Sequence, residues 1–178
     1  MQLALNEIDV ERAGGDRLVR RRLSLWDHQA ALHPALVTIY RHWEELRPDG
    51  LVPTRSDFDL NQLRPIMAAA SLIDTSPDAP ADYTVRLLGR EVHPVMGLPR
   101  QRLGEMASVT FREMLMQDYY ACVSSGVPLY HEIVARLDYL TWSYARLILP
   151  FARDRRRVDE LMVCPIAVEL PELVQRLQ

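Results

Sequence analysis

The spacing of hydrophobic positions along this chain changes period several times, and each change marks a predicted element. From Pro34 to Arg47, Leu36, Ile39, Tyr40, Trp43 and Leu46 recur at three- and four-residue steps, one face of an amphipathic helix. Pro34 suits the first turn of that helix, and Pro48-Asp49-Gly50 stops it. Leu60–Ile66 reads as a short helical turn. The apolar run Met67–Ile73, ended by Asp74-Thr75-Ser76-Pro77, reads as a buried strand. Asp78-Ala79-Pro80 turns the chain, and Tyr83, Val85 and Leu87 then alternate with Thr84, Arg86 and Leu88 in a second strand. Arg90–Met96 predicts a short helix bent at Pro94. Val109–Ser124 predicts the longest core helix, with Phe111, Leu115, Tyr119, Cys122 and Val123 on one face and Gly126 as its stop. Three β-like runs follow, Leu129–Asp138, Trp142–Phe151 and Val158–Glu169. The last is apolar on both faces, as a central or doubly covered strand would be. Leu170–Leu177 predicts a short terminal helix.

Two strands, helices and a three-strand meander predict an α+β domain: one five-stranded antiparallel sheet with helices on one face, plus an N-terminal helix. The domain is expected over residues 33–170, with residues 1–32 as a peripheral extension and 171–178 as a tail. A sheet of this kind makes a cup, which suits sensing or binding better than bond-making.

Composition changes little in this picture. Of 178 residues, 48% are hydrophobic and 25% charged, and the net charge is -3, so no global basic field recruits nucleic acid. All 21 basic residues are Arg. The segment Arg17-Leu18-Val19-Arg20-Arg21-Arg22-Leu23 is locally basic, and Gly14-Gly15 precedes it. It offers only a few counterion-release contacts, so it reads as a solvated arm or a helix face near acidic groups rather than a nucleic-acid or lipid contact. Cys122 and Cys164 lack metal-pair spacing and read as buried free thiols in a reducing compartment. With no long apolar segment, a cytoplasmic protein with no membrane insertion is expected.

The order of several short motifs resembles a bacterial PAS domain, in particular the stand-alone PAS proteins of alphaproteobacteria. The pieces are Tyr40-x-x-Trp43-x-x-Leu46-Arg47, Pro53-x-Arg55-x-Asp57-x-Asp59 and Arg86-Leu87-Leu88-Gly89. After the long helix come Gly126-x-Pro128-x-Tyr130, Arg146-Leu147-Ile148-Leu149-Pro150 and Val158-Asp159-x-Leu161. Together they span roughly residues 33–170. The resemblance implies a five-stranded sheet in order 2-1-5-4-3 with helices between the second and third strands, and a sensory or interaction role in signalling. Many relatives have a glycine-rich turn after the Leu-Pro of the fourth strand. Here that turn is Ala152-Arg153-Asp154-Arg155-Arg156-Arg157, which reads as a solvated hairpin tip.

Catalytic motifs are missing. His28, His33, His42, His93 and His131 form no His-Glu-x-x-His or other metal spacing, and no Gly-x-Ser-x-Gly elbow or phosphate-cradling loop occurs. A cup-shaped α+β hydratase or isomerase using His131 and Asp138 is the competing class. Their separation of seven places them on opposite strand faces. A haem sensor would use an axial His facing the cup. His93 lies near that wall but Pro94 follows it at once, and Val109–Ser124 contains no His. The flavin-photosensor Cys motif is absent. No cofactor is therefore expected, and the purified protein should be colourless.

The residues that would line a ligand pocket are His93, Tyr119, Tyr130, Trp142 and Tyr144, with core packing as the plainer role for the strand aromatics. Leu36, Ile39, Tyr40 and Trp43 form a stripe that one sheet face can cover only in part. A homodimer through this helix and the outer sheet face is expected, besides a signalling protein partner. The alternative is a monomer with the helix folded over its own sheet.

Overall fold

The structure, a computed structural model, describes residues 8–13, 15–26, 31–76, 78–90, 98–137 and 140–177. Its centre is one antiparallel sheet of seven strands: β1 (Ile8–Ala13), β2 (Asp16–Leu23), β3 (Ser71–Asp74), β4 (Thr84–Leu87), β5 (Leu129–Leu137), β6 (Leu140–Phe151) and β7 (Glu160–Ala167). Their spatial order is β1-β2-β5-β6-β7-β3-β4. The helices are α1 (Pro34–Glu45), α2 (Val109–Ser125) and α3 (Pro171–Val174), with 3-10 turns between them.

Two expectations are corrected here. The sheet has seven strands rather than five, because residues 8–23 are not peripheral: β1 and β2 form a hairpin, and β2 pairs with β5 from Arg17↔Arg136 to Leu23↔Tyr130. The basic segment is therefore a strand, in which Arg20 is buried against Asp118 and Arg21 pairs with Glu132. Helices also cover both faces of the sheet, not one.

Alternation along each strand explains the two faces. On the inner face, Leu18, Ile133, Ile148, Leu161 and Val163 meet Phe111, Met114, Leu115 and Cys122 of α2. On the outer face, Leu147, Leu149, Phe151, Met162 and Cys164 meet Leu36, Ile39, Tyr40 and Trp43 of α1. The C-terminal segment is not a free tail: Leu170, Leu173 and Leu177 pack on Val19 and Val134. The stripe put forward as a dimer face is thus consumed within one chain. Leu36, Ile39 and Trp43 are 0% exposed and Tyr40 2%, while Leu46 at the end of the stripe is half-buried, so these four residues offer no exposed face for a dimer.

Local chemistry fixes both ends of α2. Ser108 Oγ accepts from the Phe111 amide at the start of α2, and Gly126 closes it in the left-handed conformation at φ 63°. Just beyond β4, position 89 must be glycine, because a Cβ there would lie 2.3 Å from the Ala69 carbonyl carbon. The glycine-free tip between β6 and β7 turns through Arg155 at φ 60°, while Asp154 accepts from the amides of Arg156 and Arg157 at 2.9 Å each.

Candidate functional site: a charged cluster beneath α2

The inner face carries a row of polar residues where an apolar core would be expected. Sheet register places Arg22 opposite His131 and His131 opposite Arg146, while the next row holds Arg20, Ile133 and Tyr144. Above them, α2 lowers Asp118 into the sheet. Asp118 lies three residues after Leu115 and four before Cys122, so its helical position is a core position. Asp118, His131 and Arg146 are 0% exposed and Arg20 is 2% exposed.

Asp118 is the hub. Its Oδ1 accepts from Arg20 Nη1 at 2.5 Å and lies 3.4 Å from Arg22 Nη2; its Oδ2 accepts from Arg146 Nη2. Arg20 also donates to Asp9 Oδ2 on the edge strand through Nη2 at 2.6 Å. Burial opposes ionisation of Asp118, but the surrounding positive side chains outweigh it and hold its carboxyl well below the usual range. Burial pulls His131 down to about 3; Asp118 works against that shift, and the arginines add to it. His131 is therefore neutral at physiological pH, and Arg146 and Arg20 are the cations that keep Asp118 charged.

The geometry also fixes the His131 tautomer. Arg146 Nη2 lies 3.2 Å from His131 Nδ1, and a guanidinium can only donate, so Nδ1 is the acceptor and the proton sits on Nε2. Nε2 faces Asp118 Oδ1 at 3.6 Å, within reach of its charge but beyond a hydrogen bond, so Nε2 has no hydrogen-bond partner. Arg146 Nε and Nη1 and Tyr144 Oη are likewise buried and unpartnered. The Tyr119 ring lies against Arg146, its centroid 6.0 Å from Cζ. Buried polar groups are nearly always satisfied, so four orphaned atoms on one sheet face single this place out.

Of the five expected pocket residues, the structure brings Tyr119 and Tyr144 together at this cluster, and Trp142 packs half-buried at the margin of the same core. Tyr130 is separated from them: it faces α1 on the outer side, where its hydroxyl accepts from the His33 amide at 3.0 Å. His93 and Asp138 lie outside the described residues. Sequence reading missed Asp118, Arg146 and Arg20 as a group. The available signals were an Arg inside the apolar run Tyr144–Leu149 and an Asp on the core face of the longest helix.

Elsewhere, Cys122 and Cys164 are buried and free, and burial pushes both thiols up, away from the reactive thiolate. Beside the β6–β7 tip, a cleft of about 350 Å³ is lined by Arg55, Arg86, Arg153 and Glu160, among others, with Glu160 held by Arg55 and Arg86. Among the described residues, no group of three or more His, Cys, Asp or Glu is placed to hold a metal, and no helix is long and apolar enough to cross a membrane. The chain matches no family model, no curated protein and no solved structure.

Proposed function

We propose that the chain is a non-enzymatic sensory or interaction module of PAS type, acting in bacterial signalling, with a small ligand held beneath α2. The observation that carries this reading is the strand order from Ser71 onward. Numbered among themselves, the last five strands stand as second-first-fifth-fourth-third, and α2 enters between the second and the third. In that arrangement the orphaned donors occupy the cup. A signalling protein partner and a cytoplasmic setting belong to the same proposal.

A hydratase or isomerase is the second reading, favoured by the fully buried His131–Asp118 pair, 3.6 Å apart. Both groups are poorly disposed for acid–base work. The Nδ1 lone pair of His131 is taken by Arg146, and Asp118 is locked between Arg20 and Arg146. The test is to denature protein purified from its source cell, identify any released small molecule by mass spectrometry, and incubate that compound with fresh protein. Recovery of the compound unchanged, together with a raised melting temperature, supports the module. Catalysed conversion overturns it in favour of the enzyme.

A further inference from the structure

The orphaned groups beneath α2 share one chemical character. Arg146 Nε and Nη1 are donors and nothing else, His131 Nε2 carries a proton, and Tyr144 offers a hydroxyl two residues from Arg146 on the same strand face. Their complement is an acceptor. The full charge on Arg146 makes an anion a better complement than a neutral group, and its complete burial strengthens the preference. Asp118 sets the limit on charge. It occupies the Nη2 corner of the same guanidinium, so a dianion would meet a carboxylate at short range, whereas a monoanion meets it with half that repulsion.

The geometry points to a small carboxylate as the ligand of this site, bound at Arg146 with Tyr144 and His131 as supporting donors. The inference deepens the sensing reading and rests on it for its biological meaning. The Tyr119 ring lies against Arg146, and Ile133 stands in register with Tyr144, so the neighbours of these donors are largely apolar.

The test uses the full chain in chloride buffer, titrated at constant ionic strength with acetate, propionate and benzoate, with extra chloride and phosphate as matched controls. Melting temperature and the arginine Nε–H signals in nitrogen–proton spectra are followed together. A saturable rise in melting temperature with carboxylate alone is expected, along with movement of one buried Nε–H signal that disappears in Arg146→Lys. Tyr144→Phe keeps the ring and every charge, and should weaken binding by about tenfold, the loss of one good hydrogen bond. It carries the test if Arg146→Lys does not fold. Melting that follows ionic strength alone, an Nε–H signal that reports only a buried water, or equal affinity in wild type and Tyr144→Phe overturns the site. A carboxylate bound and recovered unchanged supports both site and sensor. One that is bound and converted supports the site while overturning the sensor. Absence of binding overturns the site and leaves the sensor to its own test.

Discussion

Beneath α1, Trp43 is fully buried and its indole N–H donates to the Pro150 carbonyl at 2.8 Å; beneath α2, Arg146 is equally buried and two of its nitrogens have no partner. The two helices cover opposite faces of the same strands, yet they do so by different means. Beneath α1 the outer face is apolar and its polar side chains find partners. Phe58 stacks edge-on against both His42 and Phe151, and Tyr130 is paired to His33. The inner face spends core positions on Asp118, His131 and Arg146. Burying an ion pair seldom stabilises a fold more than apolar side chains of the same size. The difference teaches that the outer face is organised for cohesion, and the inner face for a charge pattern that cohesion alone does not require.

The hardest blow to that contrast is the removal of one hub from each face. Asp118→Ala leaves Arg146 buried with no counter-charge and Arg20 still paired with Asp9, and should cost about 3–5 kcal/mol in chemical denaturation. Adding Arg146→Met should restore most of the loss, because the uncompensated charge goes with it; no recovery would mean that Asp118 acts through packing rather than charge. Trp43→Ala should cost a similar amount, about 3–5 kcal/mol, through the cavity it leaves. That loss should be indifferent to salt and to any change at Arg146.

Acid should separate the faces next. His131 has a folded pKa below its unfolded value, so between about 6.5 and 3 the unfolded chain binds more protons and stability falls as pH falls. The depressed Asp118 adds stability that is present above its unfolded pKa and is lost at lower pH still. His131→Gln should flatten the upper part of that acid limb, as followed by thermal melts from pH 7 to pH 4. A limb unchanged in this variant would place the acid sensitivity elsewhere.

The two tyrosines give the finest comparison. Tyr130→Phe breaks the bond to the His33 amide and should cost about 1 kcal/mol. Tyr144→Phe removes an orphaned hydroxyl and, in ligand-free protein, should be neutral or slightly stabilising. Equal losses at both positions would show that Tyr144 has a protein or water partner and would weaken the contrast between the faces.

Periodicity alone determined much of this molecule. The three- and four-residue spacing of Leu36, Ile39, Tyr40 and Trp43 gives α1, Leu60–Ile66 gives its 3-10 turn, and Gly126 ends α2 where expected. The long runs Leu129–Asp138 and Trp142–Phe151 give β5 and β6 to within a residue or two. These signals are legible because they are local: propensity, capping and alternation act over one or two turns of chain.

What only the tertiary structure decided is which charges go inside. Arg20 and Arg21 look like a solvated basic arm in the sequence, because their partners Asp118 and Glu132 lie roughly a hundred residues away. Tyr130 and Tyr144 look equivalent in the sequence, and strand pairing sends them to opposite faces. The stripe on α1 looks too wide for one sheet, yet Leu36, Ile39, Tyr40 and Trp43 are buried within one chain. In each case the deciding term is long-range. A charge leaves water only where a distant partner and a closed sheet make a place for it, and no window of neighbouring residues records that place.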